Sequence, residues 1–401
     1  MYRVDLEKFI KESVTERSKS FFADDFQRVQ DQLSLKINYK SILVIGGAGT
    51  IGSAFIKALL PFRPARIFVI DTNENGLTEL TRDLRSTPGQ YLPEEFITYP
   101  MDFASEAFRK LYLQEGSWDV VANFAAHKHV RSEKDKYAIE AMLDNNVFKS
   151  QVLMELLSLA PPAHFFCVST DKATNPANVM GASKLLMEML IKAYSNDFKI
   201  TTARFANVAF SNGSLLDGYL QRIAKKQAFS CPEDIERYFI SPEESGQICL
   251  LACLLGNSGG IFFPNLKPEN LKSFKDITIA YCRELGVGVH TCESEEEAKN
   301  YNIQSGKDYP VYFFKSGTTG EKKVEEFYSP EDEVEFGTFA SMGIIKDKTD
   351  IKVEDLDAIL IQLKDLLSER SATKEEIIKL LGTFLREFQH QETGKSLDQQ
   401  M

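Results

Sequence analysis

An acid and a base stand side by side near the middle of this chain. Asp171 and Lys172 follow Thr170, just after an apolar, strand-like segment, His164–Val168. A charged pair at the end of a buried strand is costly to place there, so such pairs are functional more often than decorative. A carboxyl and an amine in contact can tune each other toward effective proton transfer. The triplet is therefore a candidate for acid–base catalysis, with a solvated turn as the alternative.

A glycine-rich loop follows an earlier strand-like segment and opens a helix-like one. Gly46, Gly49 and Gly52 recur at every third position directly after Ser41–Ile45. Glycines allow a tight turn and let backbone N–H groups approach a pyrophosphate at a helix N-terminus. A second strand-like segment ends at Asp71, 19 residues after Gly52, where a carboxylate suits the ribose hydroxyls of a dinucleotide. A purely structural glycine turn is the alternative.

The acid after the second strand also discriminates between dinucleotides. A carboxylate repels a 2′-phosphate, so Asp71 favours NAD over NADP. Asp102, after the third strand-like segment, is predicted to accept from the adenine amino group, to cap the next helix, or both. The predicted cofactor-binding residues are Gly46, Gly49, Thr50, Ile51, Gly52, Asp71, Asp102, Phe103, Ala125, Ala126 and Lys184.

The elements that must position these residues alternate between apolar strands and helix-like stretches. This alternation is typical of an α/β fold, a Rossmann-type doubly wound parallel sheet. Ligands of such sheets bind at the carboxyl ends of the strands, so the polar residues there are predicted to share one site. The predicted strands are 41–45, 66–70, 96–100, 118–125, 164–168 and 199–205. The predicted helices are 53–60, 77–85, 139–158 and 181–194.

The chain divides into four predicted regions. They are an N-terminal helical extension (1–38), an NAD-binding Rossmann domain (39–210), a substrate-binding region whose strands can return to the sheet (211–345), and a C-terminal helical extension (346–401). The last region contains two predicted helices, 353–367 and 371–388, with Ser371 and Thr373 as caps. A frayed tail, 391–401, follows. Packing or oligomer contact is the preferred role of both extensions.

Composition argues against several classes of protein. The 401 residues carry a net charge of −11 and no sustained Lys/Arg block, which argues against nucleic-acid and anionic-membrane partners. No apolar run approaches the roughly 20 residues that span a bilayer, and the charged N-terminus is unlike a signal peptide. The six cysteines form no Cys-x-x-Cys pair, so no metal site is predicted. A cytoplasmic protein with reduced thiols is expected.

Five segments carry a family resemblance, in the order 46–52, 123–130, 169–173, 178–184 and 204–208. Together they resemble the extended short-chain dehydrogenase/reductases. More narrowly, they resemble the bacterial polysaccharide-biosynthesis nucleotide-sugar 4,6-dehydratases that act on UDP-N-acetylglucosamine. The Thr-Asp-Lys-Ala run with the later Met-Gly-x-Ser-Lys is specific to that group, and the resemblance covers about residues 40–330.

The resemblance implies an activity and a set of residue roles. A 4,6-dehydratase moves a hydride from sugar C4 to NAD, removes the C5 proton, expels the C6 hydroxyl as water and returns the hydride to C6. Lys172 is then the base for C5, in the neutral form that a desolvated lysine can reach. Asp171, with Thr170, handles the C6 leaving group and is a candidate for taking the C4 hydroxyl proton. Lys184 orients the nicotinamide ribose.

Met180 stands where ordinary family members have a tyrosine, four residues before Lys184. Methionine can neither donate nor accept a proton, so the tyrosine role must pass to Thr170, Asp171 or water. By resemblance, methionine here goes with the branch that retains the configuration at C5, whereas the inverting branch carries tyrosine. Core packing is the alternative role of Met180, because methionine fills irregular gaps well.

The predicted substrate-binding residues are Lys128, Asn207, Ser214 and Arg237. Arg237 suits a UDP diphosphate because its planar fork matches phosphate oxygens. A surface ion pair with Glu233, Asp234 or Glu236 is the alternative. Ser214 belongs to a polar segment that either binds phosphate or forms a plain turn.

Other functions stay open at this point. A nucleotide-sugar 4-epimerase or reductase normally uses tyrosine, so Met180 counts against it. A non-catalytic NAD-binding regulator has no need of the triplet that ends at Lys172. The expected partners are a nucleotide sugar, with UDP-N-acetylglucosamine favoured and the choice between a UDP and a GDP sugar left open, and a second copy of the chain. The resemblance implies that such a homo-oligomer forms through 139–158 and 181–194.

Overall fold

A nine-stranded sheet lies at the centre of the protein, which is described by a computed structural model. The structure describes residues 4–129, 133–303, 307–317, 322, 324–346 and 351–392. Position 130 of the second resembling segment and residues 393–401 of the predicted tail lie outside the described residues.

The strands form one large and two small sheets. In chain order they are β1 (Ser41–Ile45), β2 (Arg66–Asp71), β3 (Glu95–Pro100), β4 (Val120–Asn123), β5 (His164–Val168), β6 (Ile200–Ala203), β7 (Asn207–Val208), β8 (Phe229–Pro232), β9 (Glu236–Ile240), β10 (Gly260–Pro264), β11 (Leu271–Ser273), β12 (Val289–Cys292), β13 (Tyr309–Phe314), β14 (Val334–Glu335) and β15 (Met342–Lys346). The large sheet has the order β14-β15-β10-β6-β5-β4-β1-β2-β3, and the small sheets are β11-β9-β7 and β12-β13-β8.

The large sheet is parallel from β3 through β10, and β15 and β14 add an antiparallel edge. The chain runs outward from β1 to β3 and then crosses back to β4 on the other side of β1. The order of the strands reverses at this point, and the carboxyl ends of β1 and β4 therefore border a crevice. The predicted Rossmann-type fold is confirmed.

Helices cover both faces of the large sheet, and others pack beside the small sheets. The α-helices of the described residues are α1 (Leu6–Phe9), α2 (Ala23–Arg28), α3 (Gln30–Ile37), α4 (Thr50–Leu59), α5 (Glu74–Ser86), α6 (Glu106–Glu115), α7 (Lys136–Leu143), α8 (Lys149–Leu159), α9 (Val179–Ala193), α10 (Leu215–Lys225), α11 (Pro242–Leu255), α12 (Phe274–Glu284), α13 (Glu295–Asn300), α14 (Val353–Ser368) and α15 (Lys374–Phe384). One face packs against α3, α4, α5 and α11. The other packs against α6 to α9 together with α14 and α15.

Two predicted helices differ from the structure. The stretch 139–158 is interrupted by a π-helical turn, Asp144–Phe148, which separates α7 from α8. The last helix begins later than expected, because Thr373 is its cap, in a capping box with Glu376. Ser371 is therefore not the cap. Either hydroxyl suits a cap by residue type, and only the geometry shows which one accepts the first free amide.

The interior is apolar on both faces. Phe55 of α4 packs against Phe124 and Phe166, with ring centroids 5.1 and 6.5 Å away. All six cysteines are buried and have free thiols.

Within the described ranges, no helix combines the length and the apolar character that a membrane span requires.

Candidate active site

The glycine loop between β1 and α4 leaves no space for side chains. Gly46 has a φ of +75°, and a Cβ there would lie 2.5 Å from the backbone N of Ala125. A Cβ on Gly52 would lie 2.3 Å from the carbonyl O of Gly46. Only glycine meets both demands, and the bare backbone suits close approach of a phosphate group to the N-terminus of α4.

Asp71 ends β2 and faces the glycine loop. Its Oδ2 accepts from Ala48 N at 3.0 Å, and its Oδ1 accepts from Asn73 N at 2.9 Å. These bonds fix the carboxylate in a recess that we term the cofactor cleft. Seven of the predicted cofactor-binding residues line this cleft: Gly46, Gly49, Asp71, Asp102, Phe103, Ala125 and Ala126. Three other predicted cofactor-binding residues, Thr50, Ile51 and Gly52, form the first turn of α4.

Asp102 lies in the cofactor cleft, where its carboxylate is held by two donors. Ala104 N donates to Oδ1 at 2.8 Å, and Lys149 Nζ donates to Oδ2 at 2.6 Å. Burial raises the pKa of this carboxyl, but the bonds from Lys149 and Ala104 outweigh burial and leave the pKa below its ordinary value. Ser105 caps α6 by accepting from Phe108 N, so the predicted helix cap at Asp102 is wrong. Its adenine contact stays a prediction.

A buried amide that the sequence analysis did not identify ties the cofactor cleft to α9. Asn146 Oδ1 accepts from His127 N at 2.8 Å, and its Nδ2 donates to His127 O at 3.0 Å. The same Nδ2 donates to Ser183 Oγ at 3.0 Å. The π-helical turn between α7 and α8 carries Asn146, and a regular helical period does not predict such a turn.

The predicted acid–base triplet lies at the carboxyl end of β5. Thr170 Oγ1 donates to Asp171 Oδ1 at 2.8 Å, and Lys172 Nζ donates to the same oxygen at 3.0 Å. Thr170 also caps the short 3-10 turn Asp171–Ala173. One carboxylate oxygen therefore joins a hydroxyl and an amine, which allows protons to pass among the three groups.

A second carboxylate, missed by the sequence analysis, completes a group that we term the catalytic corner: Thr170, Asp171, Lys172, Arg237 and Glu325. The Glu325 side chain is 4% exposed, and its Oε1 lies 3.8 Å from Lys172 Nζ and 3.8 Å from Arg237 Nη2. Its Oε2 is buried with no hydrogen-bond partner in the described part of the chain. Nothing in the local sequence pattern around Glu325 indicates this position.

Arg237 occupies the interior rather than the surface. It is 4% exposed, and its Nη1 donates to Glu236 O at 2.8 Å. The alternative of a surface ion pair is therefore wrong, and the carboxylate seen beside the guanidinium is that of Glu325. A contact between Arg237 and a diphosphate stays a prediction.

The two lysines of the predicted catalytic set differ in their charge environment. Burial lowers the pKa of Lys172, but the charges of Asp171 and Glu325 outweigh burial, so its pKa lies above the ordinary value. A neutral base requires a lowered pKa, so the expectation that desolvation makes Lys172 neutral is wrong in direction. Burial lowers the pKa of Lys184, and Cys167 and Glu188 offset it only in part. Lys184, not Lys172, is the lysine that desolvation brings toward the neutral form.

Lys184 and Met180 lie on α9, as expected. Lys184 Nζ donates to Val168 O, at the end of β5, at 2.9 Å and contacts Met187 Sδ at 3.2 Å. Met180 is 2% exposed and belongs to the apolar cluster on this face of the sheet. Its side chain therefore contributes to core packing. The ribose contact of Lys184 stays a prediction.

The predicted substrate-binding residues lie on separate elements. Ser214 caps α10, and its turn contacts the cofactor loop, because Asn212 N donates to Thr50 Oγ1 at 2.9 Å. Asn207 begins β7 and is half-buried, whereas Lys128 is exposed. Their contacts with substrate stay predictions.

The segment after α15 returns to the loop that links the catalytic corner to α9. Gln389 N donates to Pro176 O at 3.0 Å, and Gln391 N donates to Ala177 O at 3.0 Å. We term residues 388–391 the C-terminal clasp. The predicted frayed tail begins at residue 391. This prediction is wrong for Gln391, because its N–H is hydrogen-bonded to the loop.

A side-chain contact accompanies this backbone pairing. His390 Nε2 meets Glu133 Oε1, and Glu133 Oε2 accepts from Val179 N at 2.7 Å. Asn178 caps the same helix by accepting from Gly181 N. The start of α9, one residue before Met180, is thus held by residues from distant parts of the chain.

Three potential metal ligands approach one another in the described residues. His290, Cys292 and Glu297 place their ligand atoms within 4.8 Å of one another. Glu297 Oε2 already accepts from Glu293 N at 2.7 Å, and His290 stacks on Tyr301 with ring centroids 4.6 Å apart. Contacts within the chain therefore account for much of this cluster. The expectation that the chain holds no metal stays a prediction.

Comparison with known proteins identifies a matching family and several similar proteins. A family model described as polysaccharide biosynthesis protein matches residues 42–309. An uncharacterized membrane protein of Methanocaldococcus jannaschii is 36% identical over 60% of this chain and 71% of its own. The capsular polysaccharide biosynthesis protein CapD of Staphylococcus aureus is 30% identical over 57% of this chain, which spans only 38% of that protein. A UDP-N-acetylglucosamine 4,6-dehydratase (inverting) of Campylobacter jejuni is 27% identical over 70% of this chain and 82% of its own.

Solved structures share the fold. The protein Pen from Bacillus thuringiensis has a TM-score of 0.64 and 20% identity, over 81% of this chain and 98% of its own. A double mutant of the dTDP-glucose 4,6-dehydratase DesIV from Streptomyces venezuelae, solved with NAD bound, has a TM-score of 0.53 and 18% identity, over 68% of this chain and 88% of its own.

Proposed function

The chain belongs to the polysaccharide biosynthesis protein family, and within that family we propose that it is an NAD-dependent 4,6-dehydratase of UDP-N-acetylglucosamine. The product would be the 4-keto-6-deoxy sugar, with the configuration at C5 retained. The observation that carries the proposal is the hydrogen-bonded triplet Thr170, Asp171 and Lys172 at the end of β5. A plain dehydrogenation does not need a carboxyl group and an amine in contact, whereas an elimination needs both an acid and a base.

The cofactor cleft suits NAD. The bare backbone of Gly46 and Gly52 leaves space for a pyrophosphate at α4, and Asp71 at the end of β2 would accept from the adenosine ribose hydroxyls. When bound, NAD would accept a hydride from sugar C4 and return it to C6. The residues of the chain must then supply the proton transfers and orient the sugar.

The catalytic corner can supply these proton transfers in a balanced cycle. Asp171 takes the C4 hydroxyl proton, with Thr170 as the hydroxyl that is hydrogen-bonded to it. Lys172, as a neutral amine, takes the proton from C5, and Asp171 gives its proton to the C6 hydroxyl, which leaves as water. Lys172 then returns its proton to C5. Each residue ends the cycle in the state in which it began.

Met180 favours this cycle over a 4-epimerase. An epimerase of this fold relies on a tyrosine hydroxyl at position 180, and the structure has a methionine there that is buried in an apolar cluster. The same residue is the ground for proposing retention at C5. The dehydratase relative from Campylobacter jejuni is named as inverting, so the stereochemistry needs a direct measurement.

Incubation with UDP-N-acetylglucosamine in deuterated water, followed by NMR of the product, tests the proposal. We expect a 4-keto-6-deoxy sugar that carries deuterium at C5 in the original configuration. Inverted C5 would reject the retaining assignment while keeping the dehydratase. Epimerisation at C4 with the C6 hydroxyl intact would instead identify a 4-epimerase. Binding of NAD without turnover of any UDP or GDP sugar would favour the regulator.

A further inference from the structure

The charge balance of the catalytic corner presents a chemical problem for the proposed reaction. Lys172 must be neutral to remove the C5 proton, yet Asp171 and Glu325 both stabilise its charged form. An ammonium so placed gives up its proton to solvent only at high pH. A dehydratase that works near neutral pH therefore needs an internal acceptor for this proton.

Glu325 has the geometry of such an acceptor. Its side chain is 4% exposed, and its Oε1 lies 3.8 Å from Lys172 Nζ. Its Oε2 lacks a hydrogen-bond partner among the described residues. A buried, unpaired carboxylate oxygen is costly, and a proton on it would relieve that cost.

Asp171 is less suited to the same task. Its Oδ1 already accepts from Thr170 Oγ1 and Lys172 Nζ, and in the proposed cycle this carboxylate stores the C4 hydroxyl proton. Two protons cannot be stored on one carboxylate. The reaction therefore needs a second carboxylate within reach of Lys172, and Glu325 fills this place.

We propose that Glu325 takes the ammonium proton of Lys172 and thereby produces the amine that removes the C5 proton. The catalytic role of this transfer rests on the proposed function. The electrostatic coupling between Lys172 and Glu325 is independent of that function. In the transfer, a Lys172 ammonium and a Glu325 carboxylate become a Lys172 amine and a Glu325 carboxylic acid. The pair keeps its net charge, and the proton returns to Lys172 after the amine has given its proton back to C5.

The surroundings of Glu325 support a proton on this carboxyl. Burial raises its pKa above the ordinary value, although Lys172 and Arg237 oppose burial. The charged groups that face it are Lys172, Asp171, Arg237 and Lys322. A separation of 3.8 Å is longer than a hydrogen bond, and such contacts commonly tighten only when substrate is bound.

The pH profile of Glu325→Gln tests the proposal, because glutamine keeps the shape and removes the acceptor. With an internal acceptor, the wild-type kcat is flat near neutral pH, since the proton only moves within the pair. In Glu325→Gln the proton must go to solvent. We therefore expect kcat to rise about tenfold for each pH unit, and to be about 100-fold below wild type near neutral pH.

A matched control lies next to the tested residue. Glu326 is exposed and receives a long bond from Asn175 Nδ2, at 3.5 Å. Glu326→Gln should retain the flat wild-type profile. A pH profile of Glu325→Gln as flat as that of the wild type would overturn the proposal. Glu325 would then act only through the electrostatic effect of its charge or through packing, and not by accepting a proton.

A second measurement separates this inference from the proposed function. NMR titration of Lys172 in the full-length protein, labelled at the lysine Cε and assigned with Lys172→Arg, reports the pKa of the amine without any substrate. Loss of the Glu325 charge should lower that pKa in Glu325→Gln, while Glu326→Gln leaves it unchanged. An unchanged Lys172 pKa would reject the coupling. A lowered pKa in an enzyme that turns over no nucleotide sugar would reject the proposed function but keep the coupling.

Discussion

The cofactor cleft and the catalytic corner differ in the distance along the chain between their partners. Asp71 accepts from the amide of Ala48, 23 residues earlier, within one strand–loop–helix unit. Beside the catalytic corner, His390 meets Glu133 across 257 residues. The glycine-loop side of the cleft is thus a local structure formed by β1, α4 and β2. The corner exists only after distant segments have packed together.

Lys184 and Lys172 show how the partners of a lysine decide whether its pKa is lowered or raised. Lys184 is held by Val168 O and a thioether, so burial decides its pKa and lowers it. The Lys172 side chain is 20% exposed, and the adjacent Asp171 and the distant Glu325 both place a carboxylate beside it, so its pKa is raised although burial lowers it. Burial alone therefore does not determine the charge of a lysine, because neighbouring carboxylates reverse its effect.

The largest expected effect comes from removing the amine of the catalytic corner. Lys172→Ala should lower kcat for UDP-N-acetylglucosamine by about 1,000-fold, because the C5 proton loses its acceptor. Deuterium incorporation at C5 should fall in parallel, while NAD affinity stays at the wild-type level. Lys299→Ala, on the exposed helix α13, is the control and should change neither quantity. Wild-type deuterium exchange in Lys172→Ala would show that another group removes this proton.

The cofactor cleft should respond to a single methyl group. Gly52→Ala places a Cβ 2.3 Å from Gly46 O, which displaces the loop and weakens NAD binding roughly 10- to 100-fold. Calorimetric titration with NAD measures the affinity. Gly382→Ala is the control, because beyond the adjacent backbone of its own helix no atom of the described residues lies within 4 Å of a Cβ there, and alanine favours the helix. Equal NAD affinity in both variants would contradict the tight loop.

The C-terminal clasp should affect catalysis without affecting the cleft. His390→Ala removes the partner of Glu133, whose other oxygen holds Val179 N at the start of α9. A small displacement of the loop that links the catalytic corner to α9 should lower kcat about tenfold and leave NAD affinity unchanged. His390→Gln retains a donor and should restore part of the loss, and His290→Ala is the control. A loss of NAD affinity that matches the loss of kcat would mean that the clasp stabilises the whole fold instead.

The smallest effect is expected at the ion pair inside the cofactor cleft. The pKa of Asp102 is lowered in the folded state, despite burial, by Lys149 and Ala104. A lowered carboxyl pKa adds stability above the unfolded value, near pH 4, and this stability is lost as pH falls through the folded pKa. The pair is partly exposed, so Asp102→Asn should cost no more than about 1 kcal/mol at neutral pH. Thermal melting across pH should show the difference from wild type shrinking below about pH 4, and a constant difference would contradict the ion pair.

The sequence was sufficient for the sheet and the cofactor loop because their signals are local. Four apolar residues, 42–45, three glycines and a terminal carboxylate lie within one unit of the chain, and their spacing specifies strand, turn and helix. It was insufficient for Asn146, whose π-helical turn has no periodic signature. It was also insufficient for Glu325, whose neighbours give no apolar pattern and whose partners lie on other elements.

The sequence by itself determined that Asp171 and Lys172 follow a buried strand, that a methionine without a hydroxyl stands at position 180, and that a glycine-rich loop precedes them. Only the tertiary structure decided the protonation tendency of Lys172. That property depends on Coulomb interactions over a few ångströms in a medium of low dielectric constant. The carboxylate of Glu325 comes within this distance only when the chain has folded, and its charge then adds to that of Asp171 in raising the pKa of Lys172.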